Sequence, residues 1–316
     1  MKKLNNKILI GVLIGLAAVF ALSRVFRASK RQSNLRTELL KVDTASVTRV
    51  LLNAAVEKGQ VIELNREGNK WIAKKEKRTA PTEQGSVNNA IATLANLKPL
   101  RLITKKKENW KEYSVGDSST RVQLYKGDVV LADVHVGRVG FNQSSDGQFN
   151  PGGIFTYVRL TKENEVYAVE GFLESSFNRS YTDWRDKSFL RLKKEQITEV
   201  QFLYPADSSF VLTKKDKGWW IGTDQADSTK VNSYLSQLEF KNANGFADEF
   251  LAIGKGDVSI QLKGAPGMIA TVEGWKRPAD WVLKSSWQPT IYFSSENSGI
   301  VKTLFEPKKN FLVNKK

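Results

Sequence analysis

Cysteine is missing from all 316 residues, histidine occurs once and methionine twice. The missing thiols exclude disulfides, thiolate metal sites, cysteine nucleophiles and a lipidated N-terminal cysteine. They fix no compartment, because reducing and oxidising locations both tolerate cysteine-free chains. A single His135 leaves too few imidazoles for a histidine-built zinc site or a Ser-His-Asp triad. Acidic residues are also scarce: 33 Asp and Glu face 49 Lys and Arg, for a net charge of +16. Half of that excess falls in residues 1–41, where nine basic side chains accompany only Glu38. The basicity thus flanks one apolar segment and does not trace a nucleic-acid footprint, so we expect no nucleic-acid partner.

That segment is "ILIGVLIGLAAVFALSRVF", Ile8–Phe26, uncharged from Ile8 to Ser23. As a helix it would span roughly 28 Å at about 1.5 Å per residue, close to the thickness of bilayer hydrocarbon. We read it as an uncleaved transmembrane anchor, contacting the lipid bilayer, within an N-terminal region 1–44. The competing reading is a removed export signal ending at Ala21–Ser23, which the basic cluster after Ser23 disfavours. The Lys2-Lys3 pair ahead of the anchor favours export of the large domain, whereas a count of flanking charges slightly favours the opposite orientation. We expect a single-pass chain whose bulk lies outside the cytoplasm.

What the chain does have is repetition. "LNREGNKWIA" (Leu64–Ala73) returns as "LTKKDKGWWIG" (Leu212–Gly222), each with a Trp seven residues after the Leu. The order of further matches supports a duplication. "VTRV" at Val47 pairs with "ITEV" at Ile197, "VNNAIATL" at Val87 with "VNSYLSQL" at Val231, and "SVG" at Ser114 with "AIG" at Ala252. "VQL" at Val122 then pairs with "IQL" at Ile260, and "TYVRL" with "DWVLK". No match is out of order, and the first copy has the longer loops. Copy one spans 45–178 and copy two 195–306, with a linker at 179–194 and a basic tail at 307–316.

Each copy opens with apolar alternation closed by its Trp, a three-strand meander. In copy one a helix follows, with Ser86 as N-cap and Val87, Ala90, Ile91, Leu94 and Leu97 along one face. Further strands are read at Arg121–Tyr125, Val129–Val136, Thr156–Leu160 and Val166–Val169, and a short helix at Phe172–Phe177. The long stretch Gly137–Phe155 reads as a contact loop. Strands grouped around one or two helices give an α+β class: a transmembrane helix, then two tandem related domains of mostly antiparallel sheet. The repeated Trp is a core residue in each.

The chemical candidates are few. His135 shares a strand face with Asp133, opposite Ala132, Val134 and Val136, and reads as a satisfied surface residue. "DWRDK", Asp183–Lys187, reads as a linker ion-pair network with Trp184 docked between the copies. The rival reading gives Asp183 or Asp186 acid/base work in an envelope hydrolase or polymer-binding protein, with a site in the groove between copies. "NPGGIF" at Asn150 lacks the Gly-Lys-Ser/Thr ending of a phosphate cradle. "KKEKR" at Lys74 and "KKK" at Lys105 read as solvated edges, with contact to anionic lipid headgroups as the alternative. We assign no catalytic, cofactor or metal residue, expect no cofactor, and expect the chain not to be an enzyme.

Taken together, the N-terminal anchor, the Trp-closed meanders, "EYSVG" at Glu112–Gly116 and "VHVGR" at Val134–Arg138 resemble a bacterial family. "TYVRL…VYAV" and "DWRDKSFL" add to the likeness, which covers nearly the whole chain. The family is catalogued as domain of unknown function 4340, and its usual Tyr-Gly-Leu stands here as Tyr113-Ser114-Val115. The resemblance implies a membrane-anchored, non-enzymatic accessory or scaffold subunit docking on integral-membrane subunits of an ABC transporter, including the gliding-motility type. It carries over no site residues.

Overall fold

In the computed structural model, residues 15–17, 19, 20, 23, 24, 36–143, 149–216, 218–296 and 298–313 are described. Most of the apolar Ile8–Phe26 segment lies outside them. Its described residues are helical, and Arg24 lies over the Phe20 ring at 5.6 Å. Among the described residues no helix is long and apolar enough to cross a membrane.

The chain divides into two compact units, Met1–Arg185 and Asp186–Lys316. In the first, strands β1 (Arg49–Asn53), β2 (Ile62–Glu67), β3 (Lys70–Lys75) and β4 (Arg78–Pro81) lead into helix α1 (Gln84–Ala95). Strands β5 (Pro99–Thr104), β6 (Thr120–Lys126), β7 (Val129–Gln143), β8 (Phe149–Leu160) and β9 (Val166–Glu170) follow, then helices α2 (Leu173–Phe177) and α3 (Tyr181–Trp184). They form one nine-stranded antiparallel sheet ordered β4-β3-β2-β1-β6-β7-β8-β9-β5.

The second unit repeats that plan. It contains β11 (Ile197–Leu203), β12 (Phe210–Lys215), β13 (Gly218–Ile221), β14 (Asp224–Ala226), helix α4 (Ser228–Leu238) and β16 (Gly245–Phe246). Strands β17 (Val258–Gly264), β18 (Gly267–Lys276), β19 (Trp281–Ser285) and β20 (Tyr292–Ser294) and helix α5 (Ile300–Leu304) complete it. The sheet order, β14-β13-β12-β11-β17-β18-β19-β20-β16, matches the first position for position. An added two-stranded ribbon pairs β10 (Ser188–Arg191) with β15 (Phe240–Asn242).

Strand alternation explains the cores. Val50 and Leu52 on β1 point to the same face as Ile62 and Leu64 on β2 and Val122 and Leu124 on β6, all nearly solvent-free. The apolar stripe Val87, Ala90, Ile91 and Leu94 of α1 covers that face. Trp71 lies in this core, and its indole Nε1 donates to Asn88 Oδ1 at 3.0 Å. Trp219 occupies the matching place among Val231, Leu235 and Leu238.

Four details differ from the sequence reading. The meander has a fourth strand, β4, and "KKEKR" spans the end of β3, a turn at Glu76 and Lys77 with Glu76 at φ 53°, and the start of β4. Helix α1 is capped by Glu83, whose carboxylate accepts from Gly85 N and Ser86 N, so Ser86 is inside the helix. The described residues of Gly137–Phe155, 137–143 and 149–155, are strand, with β7 and β8 continuing their ladder to Gln143 opposite Phe149 across a register shift between Val136 and Val139; residues 144–148 lie outside the described residues. Trp184 lies in the first core, not between copies, and Arg185 bridges to Thr82 of the same unit. Two segments outside the repeats also pack. Leu39 is buried, with its N–H donating to Leu97 O, and Phe311 of the basic 307–316 stretch lies in the second core.

Because the two tryptophans fill equivalent positions, Trp71→Ala and Trp219→Ala should each destabilise their own unit by about 3–5 kcal/mol. Urea unfolding of the full chain, followed by amide exchange in each unit, checks this. An effect below about 1 kcal/mol at either position would place that Trp outside its core.

Candidate functional site

The face of the first sheet opposite α1 carries the densest polar cluster. Alternation places Arg121 and Gln123 of β6, Asp133 and His135 of β7 and Arg159 of β8 on this face. Asp133 lies at its centre, accepting two bonds from Arg121 at 2.8 and 2.6 Å, one from Gln123 at 3.1 Å and one from Thr161 Oγ1 at 2.6 Å. Burial pushes the Asp133 pKa up, but the bonds from Arg121 and Thr161 outweigh it and hold the carboxyl below its usual value.

A loop, residues 105–119, folds over this face. Trp110 stacks on the Arg159 guanidinium, 3.7 Å from its ring centroid, and Val115 is fully buried. Arg159, itself 1% exposed, donates from Nε to Val115 O at 2.9 Å and from Nη1 to Thr161 O at 3.1 Å. Burial lowers its pKa, yet an arginine remains charged. The "EYSVG" and "VHVGR" stretches meet in this seal. Arg138 Nε donates to Glu112 O at 2.8 Å, and Arg138 N to Tyr113 O at 3.2 Å. Ser114 takes the left-handed conformation, φ 54°, that turns Val115 inward. Gly137 allows the close approach. A Cβ there would collide with the Tyr113 carbonyl oxygen and come within 2.7 Å of Val115 Cγ1.

His135 is therefore buried, at 4% exposure, and not on the surface as its sequence position suggested. The covering loop comes from about twenty residues earlier, which strand alternation alone does not reveal. Its Nδ1 lies 2.9 Å from Ser119 Oγ, whose single proton goes to Gly116 O at 2.6 Å. The imidazole must then donate to the serine, which assigns the Nδ1–H tautomer. This is the reverse of a serine nucleophile activated by a histidine base. Burial first, and then the charges of Arg159 and Arg121, bring the His135 pKa down to about 4.

Beside the loop opens a recess of about 850 Å³, lined among others by Lys107, Trp110, Lys111, Asp117, Arg138 and Glu174. Its mixed charges and its Ser and Thr hydroxyls suit contact with polar groups. Asp183 and Asp186 do not reach it. Asp183 accepts from Ser180 Oγ at 2.6 Å and Asp186 from Ser188 N at 2.8 Å, each bond local to its own turn. Among the described residues no group of three or more His, Asp or Glu could hold a metal ion. The polar alternation on β6–β8 was the sequence signal for this cluster, and Arg159 was missed because only its partners across the sheet give it meaning.

The second unit carries the counterpart face in altered form. By register, Gln261 replaces Gln123, Thr271 replaces Asp133, Glu273 replaces His135 and Lys284 replaces Arg159. A recess of about 680 Å³ opens there, lined by Tyr204, Lys255, Asp257, Gln261, Thr271 and Glu273 among others. The loop of the first unit buries His135 and Arg159, whereas Glu273 and Lys284 at the matching places are half-exposed.

Two outcomes follow for the sealed face. A histidine held neutral with a depressed pKa stabilises the fold above its unfolded pKa of 6.5 and loses that contribution as pH falls towards 4. Between pH 7 and pH 5 the wild type should lose about 1–2 kcal/mol more than His135→Gln, after allowance for solvent screening. Equal losses in urea unfolding at the two pH values would contradict the burial of His135. Gly137→Ala should lift the loop, destabilise the first unit by about 1–3 kcal/mol, and raise the His135 pKa towards its ordinary value in an NMR titration.

No curated protein and no solved structure matches the chain. Residues 75–257 match the family described as Domain of unknown function (DUF4340). The match runs from the end of β3 to the residue before β17, so it takes in parts of both units and the whole segment joining them. It covers more than half of the 316 residues and includes both stretches of the loop seal, and on that ground the chain belongs to this family of unassigned function.

Proposed function

We propose that the protein is a non-enzymatic, single-pass accessory subunit that docks on an integral-membrane partner at the outer side of the bacterial cytoplasmic membrane. The partner class is an ABC transporter assembly, of the gliding-motility type. The observation that carries this reading is the wiring of the polar cluster on the first sheet. Arg121, Gln123, Asp133, Thr161, Ser119 and His135 bond to one another or to backbone, with the imidazole donating to the serine. Such a cluster fixes a surface in place and leaves no activated nucleophile.

Two further features support docking. The β7–β8 hairpin of the first unit continues well beyond its counterpart: β7 is 15 residues and β18 is 10, while β8 is 12 and β19 is 5. Phe141, on the extended part, is 58% exposed. In this reading the apolar Ile8–Phe26 segment, bordered by basic residues, is the tether to the bilayer.

The full chain, expressed at native level and extracted in mild detergent, should co-purify with integral-membrane transporter subunits at fixed stoichiometry. It should also stay with the membrane after alkaline carbonate washing. Recovery as a lone protein from several detergents, or release by carbonate, would overturn the proposal.

A further inference from the structure

The two copies differ most where the sealing loop should be. Val115 of the first copy corresponds to Ile253 of the second, yet Val115 is fully buried and Ile253 is 92% exposed. Leu251, two residues earlier, is 84% exposed. The cause lies on the neighbouring strand. Thr120 pairs with Val136 in the first sheet and Val258 with Gly274 in the second, so Gly137 corresponds to Trp275. The loop of the first copy lies flat because Gly137 offers no Cβ. An indole at that position in the second copy prevents the same descent. The backbone records the change: the left-handed residue is Ser114, before the Val, in one copy, and Gly254 at φ 72°, after the Ile, in the other.

The raised loop is anchored. Phe250 packs on Trp275 at 5.6 Å and on Tyr292 at 5.3 Å, and these two rings are 5.7 Å apart. Ala247 N donates to Tyr292 O at one end, and Asp257 accepts from Lys276 N at 2.7 Å at the other. Leu251 and Ile253 therefore stand on a braced platform, with less ordering left to accomplish on binding. In the chain of net charge +16, the stretch 248–257 is acidic, with Asp248, Glu249 and Asp257 against Lys255. Its base also borders the open recess, where Glu273 adds another carboxylate.

We infer that the Leu251–Ile253 prong and the recess at its base form a docking surface for a protein that offers an apolar socket rimmed by lysine or arginine. Two neighbouring exposed branched side chains supply the apolar patch. The acidic border favours a basic protein rim over an anionic bilayer, whose headgroups would repel it. This rests on the accessory-subunit reading and assigns the surface through which that subunit engages its partner.

The test uses the full chain in cells, with a photocrosslinking amino acid at position 251, 253 or, as control, 129, where Val129 is 64% exposed on the first unit. Positions 251 and 253 should crosslink to the co-purifying membrane subunit, within an apolar segment flanked by Lys or Arg, and position 129 should not. Leu251→Asp and Ile253→Asp, both at exposed sites, should keep the melting temperature and lower co-purification about tenfold or more. Trp275→Gly should lower it too, by letting the loop sink. Undiminished co-purification with both Asp variants would refute the prong while leaving the accessory reading intact. Crosslinks only to a second copy of the chain, or prong-dependent sedimentation with phosphatidylglycerol vesicles, would refute the protein socket. If no subunit co-purifies with the wild type, the accessory reading falls first and the inference with it.

Discussion

The antiparallel pairing of β1 with β6, and of β11 with β17, connects the parts of each unit. Val50 faces Leu124 and Leu52 faces Val122 across about seventy residues of chain. Val200 and Phe202 face Leu262 and Ile260 in the same way. On one side of this seam lies the meander, on the other the hairpins that follow the helix. Without the seam neither half has a surface large enough to bury α1 or α4. The pairing is non-local, so loop-closure entropy opposes it until the apolar side chains on both strands meet the helix. Both units use this arrangement, and their two sheets share one strand order despite an added ribbon in the second.

Given that shared frame, single residues decide what each unit does with its outer face. A glycine on β7 lets a loop lie against the sheet, and the buried arginine and histidine beneath it depend on that cover. A tryptophan at the matching place on β18 holds the equivalent loop away. On the first face the loop buries His135 and Arg159, answered by Ser119, backbone carbonyls and a ring face, while Arg121, Gln123 and Asp133 beside them stay half-exposed. The second retains half-exposed Gln261, Thr271, Glu273 and Lys284. The loop thus covers part of the outer face in one unit and stands away from it in the other, on a common backbone plan.

Much of the fold was legible in the sequence. Strand alternation from Val50 to Trp71 and helical spacing from Val87 to Leu94 report burial directly, because those residues face a core built by their neighbours in the chain. Legibility failed where the covering element was distant. Period-two alternation put His135 and Asp133 on the face away from the core, but which loop covers that face depends on a glycine contact across the sheet. Glu83 was overlooked as a cap because Ser, Thr, Asp and Asn are the usual ones. The outer parts of β7 and β8 read as a loop because Gly and Pro mimic turn signals and the bulge before Val139 breaks the alternation. Of the candidate site, the sequence marked His135 and the two Gly-containing stretches; it gave no sign that they touch.

The burial of Phe311 has a temporal consequence. Its backbone oxygen accepts from Asp227 N, and its ring packs with Phe202, Phe210 and Tyr234, so the second core lacks a wall until this residue arrives. The first unit draws its core from residues no later than Trp184. During vectorial synthesis the leading half has all its parts while the trailing half is still emerging, an order that separates two look-alike sheets in time and guards against strands exchanging between them.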